Sequence, residues 1–396
     1  LASAPSSYGK TSDAALAQRG RYLALAGDCI SCHTRAGGAP FAGGLDFHTP
    51  FGVIYSPNIT RDSKTGIGQW SEAEFARALR QGVGRHGEQL YPVFPYSYFT
   101  KISDADVAAL YAFLRAVPAV KYVAPANDMK FPFGQRWLLR GWKDMYFRQG
   151  RFTPDKAKSP EWNRGAYLVK GLGHCGACHT PRDRLGGEKT DQFMAGGVYE
   201  EYPGRPMDWS TVSLTSAGLK AWSLQDLTDY FKLGFSLHAA VHGPMISVVM
   251  NSTRNLTRED DEAIATYLKD IVPKKENDPR PPSRGRTTVG KNLYGINCST
   301  CHLPTGLGSR ITAPPLAGSS VVLTPDPASM INVVLRGPIL PDEAPSKLWQ
   351  SRKWQRMPAF GDKLSDEDVA ALLTYIRSAW GNRQGPVTAD EVAKQR

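Results

Sequence analysis

Three times along 396 residues the chain repeats Cys-x-x-Cys-His: Cys29-Ile-Ser-Cys32-His33, Cys175-Gly-Ala-Cys178-His179 and Cys298-Ser-Thr-Cys301-His302. Two thiols three residues apart, followed directly by an imidazole, are the signature of covalent haem c attachment. The thiols bond the porphyrin vinyl groups and the histidine coordinates iron. All six cysteines fall in these motifs. No thiol is left for a disulfide or a nucleophile, and no paired tetrahedral set remains for zinc. The expectation is three haem c groups, linked through Cys29, Cys32, Cys175, Cys178, Cys298 and Cys301, with His33, His179 and His302 as iron ligands.

The motifs sit in copies of one plan. Before each comes a short helix-like segment, Arg19-Gly20-Arg21-Tyr22-Leu23, Arg164-Gly165-Ala166-Tyr167-Leu168 and Gly290-Lys291-Asn292-Leu293-Tyr294. After each comes a closing helix whose start, at Ser103, Thr257 or Ser365, has an acid three residues on. That is the pattern of a capping box, which satisfies otherwise unpaired amides. An aromatic ten residues after each cap reads as core, packed on the small residues of the opening helix. The first two copies also share Phe41-Ala-Gly-Gly44 with Met194-Ala-Gly-Gly197, and Trp70-Ser71 with Trp222-Ser223. The third has Ala313-Pro-Pro-Leu-Ala-Gly318 instead, resembling the class I cytochrome c loop whose proline carbonyl accepts a hydrogen bond from the ligating imidazole.

The expected fold is therefore mainly α, with three tandem class I cytochrome c-like domains, each wrapped around one covalently attached haem. The boundaries read as 1–150, including an aromatic and basic linker, 151–280 and 281–396. Pro118–Pro160 is rich in proline and aromatics, and Pro273–Arg286 is charged with few apolar residues; both read as linkers.

The sixth iron ligand decides whether a haem relays electrons or binds small molecules. Met357, in Arg356-Met357-Pro358, precedes the third closing helix and is the expected ligand there. Met245, in Gly243-Pro244-Met245, is expected in the second copy, with Met250 as its competitor. The first copy breaks the pattern. Aligning Gly82-Val-Gly-Arg-His86 with Gly234-Phe-Ser-Leu-His238 puts Phe94 at the methionine position, and phenylalanine cannot ligate iron. That haem is five-coordinate or bound by another group, with His86 the nearest candidate and His48 ranking below it. His238 shares the position of His86 with no need to ligate, while His174 and His242 neighbour ligand positions.

Lys and Arg outnumber Asp and Glu by 48 to 37, a formal charge of +11. Three haems would remove up to about six units through their propionates. Nothing resembles a nucleic-acid module, so no nucleic-acid partner is expected. The chain begins Leu1-Ala-Ser-Ala-Pro, as if a secretory signal peptide had been cleaved, and haem c attachment is extracytoplasmic in bacteria; both point to the periplasm. No window approaches the roughly 18 uncharged apolar residues that span a bilayer. The best run, Val107–Val123, is broken by Arg115, Pro118 and Lys121. No catalytic triad, paired-carboxylate pattern or phosphate loop appears, so no substrate-oxidising site is expected in this chain.

Nearly the whole chain resembles the three-haem cytochrome c subunits of membrane-bound periplasmic dehydrogenases of acetic acid bacteria and other proteobacteria. The resemblance rests on Tyr-Ser-Pro-Asn58-Ile-Thr, Gly-Ile-Gly-Gln-Trp70-Ser, Gly173 through Arg182, and the ending Ile376-Arg-Ser-Ala-Trp-Gly-Asn382-Arg. It implies an electron-transfer subunit between a catalytic dehydrogenase subunit and membrane ubiquinone, with the quinone-reducing site a candidate for this chain. Alcohol dehydrogenase cytochromes carry Tyr-Pro-Ala-Met-Pro-Tyr in the first domain. Here Tyr91-Pro-Val-Phe94-Pro-Tyr, Phe131-Pro-Phe-Gly and Trp162-Asn-Arg-Gly-Ala-Tyr look like cytochromes attached to molybdenum hydroxylases. The resemblance thus implies an aldehyde-oxidising molybdopterin subunit and a small iron–sulfur subunit. Quinoprotein alcohol dehydrogenase or flavoprotein sugar dehydrogenase partners are the alternative, and a haem peroxidase or ligand sensor using an open first haem the remote one. The family is membrane-bound, and Gln135–Arg148, with bulky apolar residues among Arg and Lys, reads either as an interfacial helix on the membrane or as a helix packed between domains.

Overall fold

The three acid-bearing caps form as helix starts. Ser103 Oγ accepts the Asp106 amide at 3.1 Å, Thr257 Oγ1 the Asp260 amide at 3.2 Å, and Ser365 Oγ the Asp368 amide at 3.1 Å. The reciprocal half of the box, the acid returning to the cap amide, closes in the third case, where the Ser365 N–H donates to Asp368 at 3.3 Å. At Ser103 and Thr257 tyrosine hydroxyls from elsewhere in the chain take the cap amide, and the aspartates turn to arginines. The acids are drawn away because a guanidinium is a stronger partner for a carboxylate than a backbone amide.

The computed structural model describes residues 13–199, 207–273, 275, 287–309, 311–338 and 356–396. The Leu1-Ala-Ser-Ala-Pro start and nearly all of the Pro273–Arg286 linker lie outside the described residues. The protein is mostly helical. Asp13–Ala26 packs on Asp104–Ala116, Pro160–Lys170 on Arg258–Lys269, and Thr287–Asn297 on Asp366–Ser378. Each pair crosses backbone to backbone. A Cβ on Gly20, Gly165 or Gly290 would come within 1.8, 1.9 or 2.1 Å of the carbonyl oxygen of Ala109, Ala263 or Ala371. The aromatics beside those crossings are Phe113, Tyr267 and Tyr375, which are the residues ten positions after each cap.

Two short antiparallel sheets complete the frame. Asp46–Thr49 pairs with Gly52–Tyr55, which pairs with Asp128–Met129; Gly197–Tyr199 pairs with Trp209–Thr211. Hydrophobic packing does not divide by motif. One core runs continuously through the first two helix pairs, including Leu23, Leu110, Leu168 and Leu268, while Tyr294, Ile331, Val369 and Leu373 belong to a separate core around the third. Helix 328–336 of the third region docks on the second through its Ser329 N–H and Oγ, which donate to Ser210 Oγ and carbonyl at 2.9 and 2.8 Å.

Candidate haem sites

Each motif ends in a histidine held in one tautomer. Nδ1 lies 2.8 Å from the Pro57 carbonyl in His33, 2.8 Å from that of Val212 in His179, and 2.9 Å from that of Pro314 in His302. A carbonyl only accepts, so Nδ1 carries the proton and the Nε2 lone pair is left for a metal. Burial lowers the basicity of all three rings, against a smaller upward pull from the carbonyls, so the imidazoles are neutral and fit to ligate at neutral pH. The proline carbonyl expected from Ala313-Pro-Pro is in place. The counterparts at Pro57 and Val212, just past the strands Gly52–Tyr55 and Trp209–Thr211, escape the sequence reading.

The shared Ala-Gly-Gly segments have a common task. Gly43 N–H donates to the His33 carbonyl at 2.7 Å and Gly196 N–H to that of His179 at 2.9 Å, both glycines at positive φ (76° and 84°). The Phe41 and Met194 amides bond Thr34 Oγ1 and Thr180 Oγ1, each at 3.1 Å. In the third region Gly308 N–H meets the His302 carbonyl at 3.0 Å. The backbone behind each ligand is thus pinned at the ring and at the carbonyl.

Burial pushes the thiols of Cys29, Cys175 and Cys298 up, to about 12, 11 and 11, so they stay protonated. Around the third motif a cavity brings Cys298, Cys301, His302 and Met357 together, walled by Ala313, Pro358 and Phe360. Two thiols, an imidazole and a thioether facing one apolar space are the donor set a covalently held haem requires. Among the described residues no group of three or more His, Cys, Asp or Glu side chains forms a metal site.

The distal loops of the first two motifs share a frame. Leu90 N–H bonds the Gly82 carbonyl at 2.8 Å and Val241 N–H that of Gly234 at 2.7 Å. Counting on from these twins carries Met245 onto Phe94. Met245 begins the helix Met245–Asn251, whereas the Met250 sulfur receives the Arg254 guanidinium at 3.4 Å. Phe94 packs edge-on against Phe99, with centroids 5.5 Å apart.

The remaining histidines have local partners. His86 is exposed, with its amide on Glu88; His48 Nε2 meets Asp46 at 2.9 Å. His238 stacks on Trp222 at 4.9 Å and pairs with Asp226, His242 lies against Trp209, and His174 lies against Phe99. In Gln135–Arg148, one side of the helix Leu138–Tyr146 packs inward. Trp142 Nε1 donates to the Leu185 carbonyl, Lys143 Nζ to the carbonyls of Gln81 and Gly82, and Tyr146 to Asp183. The other side leaves Trp137 66% and Met145 54% exposed, beside Phe131 at 89%. The packed side fits the reading of a helix held between regions. No helix among the described residues is long and apolar enough to cross a membrane.

The family model for Cytochrome c matches residues 17–118, and that for Cytochrome C oxidase, cbb3-type, subunit III matches residues 285–376. A nicotinate dehydrogenase subunit of Pseudomonas putida is 42% identical over 92% of this chain, which spans only 30% of that relative's length. The cytochrome c subunit of Alcohol dehydrogenase (quinone) from Gluconobacter oxydans is 40% identical, over 98% of this chain and 84% of its own. The Gluconate 2-dehydrogenase cytochrome c subunit of Pantoea cypripedii is 39% identical, over 96% and 90%.

Proposed function

The chain belongs to the family of cytochrome c subunits of dehydrogenases, and on that footing we propose that it carries electrons through three haem c groups from an aldehyde-oxidising catalytic subunit to membrane ubiquinone. Haem iron supplies the one-electron step, alternating between ferric and ferrous states. Within this reading Cys29 and Cys32, Cys175 and Cys178, and Cys298 and Cys301 hold the three groups. His33, His179 and His302 would ligate the iron, and Met245 and Met357 would complete the second and third sites. The single observation that carries it is the threefold recurrence of a histidine whose Nδ1 proton is committed to a backbone carbonyl, directly after the two cysteines of its motif.

Domains 1–150, 151–280 and 281–396 are the proposed haem-bearing units. The catalytic partner is proposed to be a molybdopterin subunit with a small iron–sulfur subunit, because Phe94 replaces the methionine of alcohol dehydrogenase cytochromes. The chain sits on the periplasmic face of the membrane, held there by the exposed face around Trp137. Purification from membranes tests the assembly: a molybdopterin and an iron–sulfur subunit should co-purify, and aldehyde should reduce the haems. A quinoprotein or flavoprotein partner would move the assignment to alcohol or sugar oxidation while leaving the cytochrome role intact. Peroxide turnover by the isolated chain would instead favour a haem enzyme.

A further inference from the structure

The first two helix pairs share a polar signature with a reciprocal geometry. Each opening helix carries Arg-Gly-x-Tyr, and each closing helix an aspartate three residues past its cap. Within a pair, the arginine meets that aspartate. Arg19 Nε and Nη2 lie 3.0 and 2.5 Å from Asp106 Oδ1, and Arg164 Nε and Nη2 lie 2.7 Å from Asp260 Oδ1 and Oδ2. The tyrosines cross to the other pair. Tyr22 donates to Asp260 at 2.6 Å and Tyr167 to Asp106 at 2.5 Å. Each hydroxyl also accepts the cap amide of the other pair's closing helix, Tyr22 from Thr257 at 3.2 Å and Tyr167 from Ser103 at 3.0 Å. Asp106 and Asp260 are 3% and 7% exposed, so both acceptor carboxylates are shielded from water.

The third region lacks this signature. Aligning Gly290 with Gly20 and Gly165 puts Val289 where the arginines stand and Asn292 where the tyrosines stand, although Asp368 is kept. Val289 is 55% exposed, and Asp368 instead closes its own capping box.

The two regions also meet at both attachment motifs. From the first region, Phe99 packs on Phe94 and on His174, the residue before Cys175, and Tyr98 donates to Glu188 at 2.6 Å while lying against Gly176 inside the second motif. From the second, Asn251 donates to Ser31 at 2.8 Å, between Cys29 and Cys32. Each region's distal segment therefore touches the other's Cys-x-x-Cys-His turn, and a rotation at the tyrosines would displace both turns.

We propose that Tyr22–Asp260 and Tyr167–Asp106 are a two-tyrosine lock that fixes the first two haem sites as one rigid electron-hopping pair, with the third site outside it. These are positioning residues: they act by holding two helix pairs in register. The inference rests on the reading that all three motifs carry haem. With haem bound, the two groups would supply the one-electron exchange between ferrous and ferric iron, and the lock would hold their spacing constant. Tyr167, whose ionisation burial and then Asp106 push up to about 12, stays a donor across the physiological range.

The test uses the full haem-loaded chain. Haems per chain are counted first by pyridine haemochrome; fewer than three on the unaltered protein defeats the haem reading and leaves the lock out of the result. The double variant Y22E/Y167E then places a carboxylate against each aspartate, and Y22F/Y167F deletes only the hydroxyls. In Y22E/Y167E, pulsed EPR between ferric haems should show a broadened distance distribution for the first and second sites and an unchanged one for the second and third. Electron equilibration between the first two after flash reduction should slow about tenfold. Y22F/Y167F should change both readouts in the same direction by less. A fully loaded Y22E/Y167E with unaltered distances and rate overturns the proposal. If that variant does not load haem, unaltered distances and rate in Y22F/Y167F overturn it.

Discussion

The first and second sites are twins on the proximal side and strangers on the distal side. Thr34 and Thr180, Gly43 and Gly196, and the carbonyls of Pro57 and Val212 pin His33 and His179 with nearly the same bonds. Further along the chain a shared loop frame, Leu90 on Gly82 and Val241 on Gly234, puts Phe94 in one copy where Met245 stands in the other. Proximal geometry is demanded by attachment chemistry, which is the same in every copy. The distal residue sets what the iron does, and it is where copies diverge.

The largest effect should come from breaking what the copies share. Gly165→Val forces a side chain into the Ala263 carbonyl, 1.9 Å from the first added carbon, and Gly20→Val does the same at Ala109. Each should cost more than about 4 kcal/mol, because backbone rather than a flexible side chain blocks the space. Haem incorporation and thermal melts read this directly, and a well-folded Gly165→Val protein would contradict the crossing. The next effect targets the difference. Met245→Leu should make the reduced second haem bind carbon monoxide and lower its potential by on the order of 100 mV, as thioether ligation is lost. Phe94→Met should abolish any carbon monoxide binding at the first site. If the unaltered first site already binds none, another residue ligates it, and His86→Ala should then expose it.

Much of this was readable from residues alone. The attachment motifs, the capped closing helices, the aromatic beside each glycine and the Pro314 carbonyl follow from local spacing and chemistry. The Pro57 and Val212 carbonyls were hidden, because any residue supplies a carbonyl and only the strand before it sets its aim. The reciprocal tyrosines were hidden for another reason. Tyr22 and Asp260 are partners 238 residues apart, and periodicity says nothing about which of two similar helix pairs a hydroxyl will reach. The continuous core of the first two regions follows from those crossings, and a count of motifs cannot anticipate it.

A subtler contrast lies one residue past the locking aspartates. Val107 and Val369 fill that place in the first and third closing helices, but the second has Asp261, fully buried with no hydrogen-bond partner for either carboxylate oxygen and Lys232 Nζ 3.8 Å away. Burial pushes its carboxyl up to about 7, against a smaller downward pull from Lys232. The folded state thus holds a proton that the unfolded chain has released between pH 3.8 and about 7, so stability falls as pH rises through that window. Asp261→Val should flatten this slope and raise stability above pH 7 by about 2–4 kcal/mol. Denaturant melts at pH 5 and 8 would expose the error if the variant kept the slope.

The smallest effect concerns the strap between the first and second regions. Lys143 holds the carbonyls of Gln81 and Gly82 in the first region, while Tyr146 donates to Asp183 of the second at 2.7 Å. Burial pushes the Asp183 carboxyl up, but the Tyr146 hydroxyl and the amides of Leu185 and Gly187 outweigh it and hold the group below its usual range. A depressed carboxylate stabilises the fold at neutral pH, and that contribution fades as acid protonates it. Tyr146→Phe keeps the ring against Gly187 and removes only the hydroxyl, so it should cost about 1 kcal/mol at pH 7 and progressively less in acid. A loss that stays constant down to strongly acidic pH would mean that the ring's packing, rather than its bond to Asp183, ties the strap to the second site.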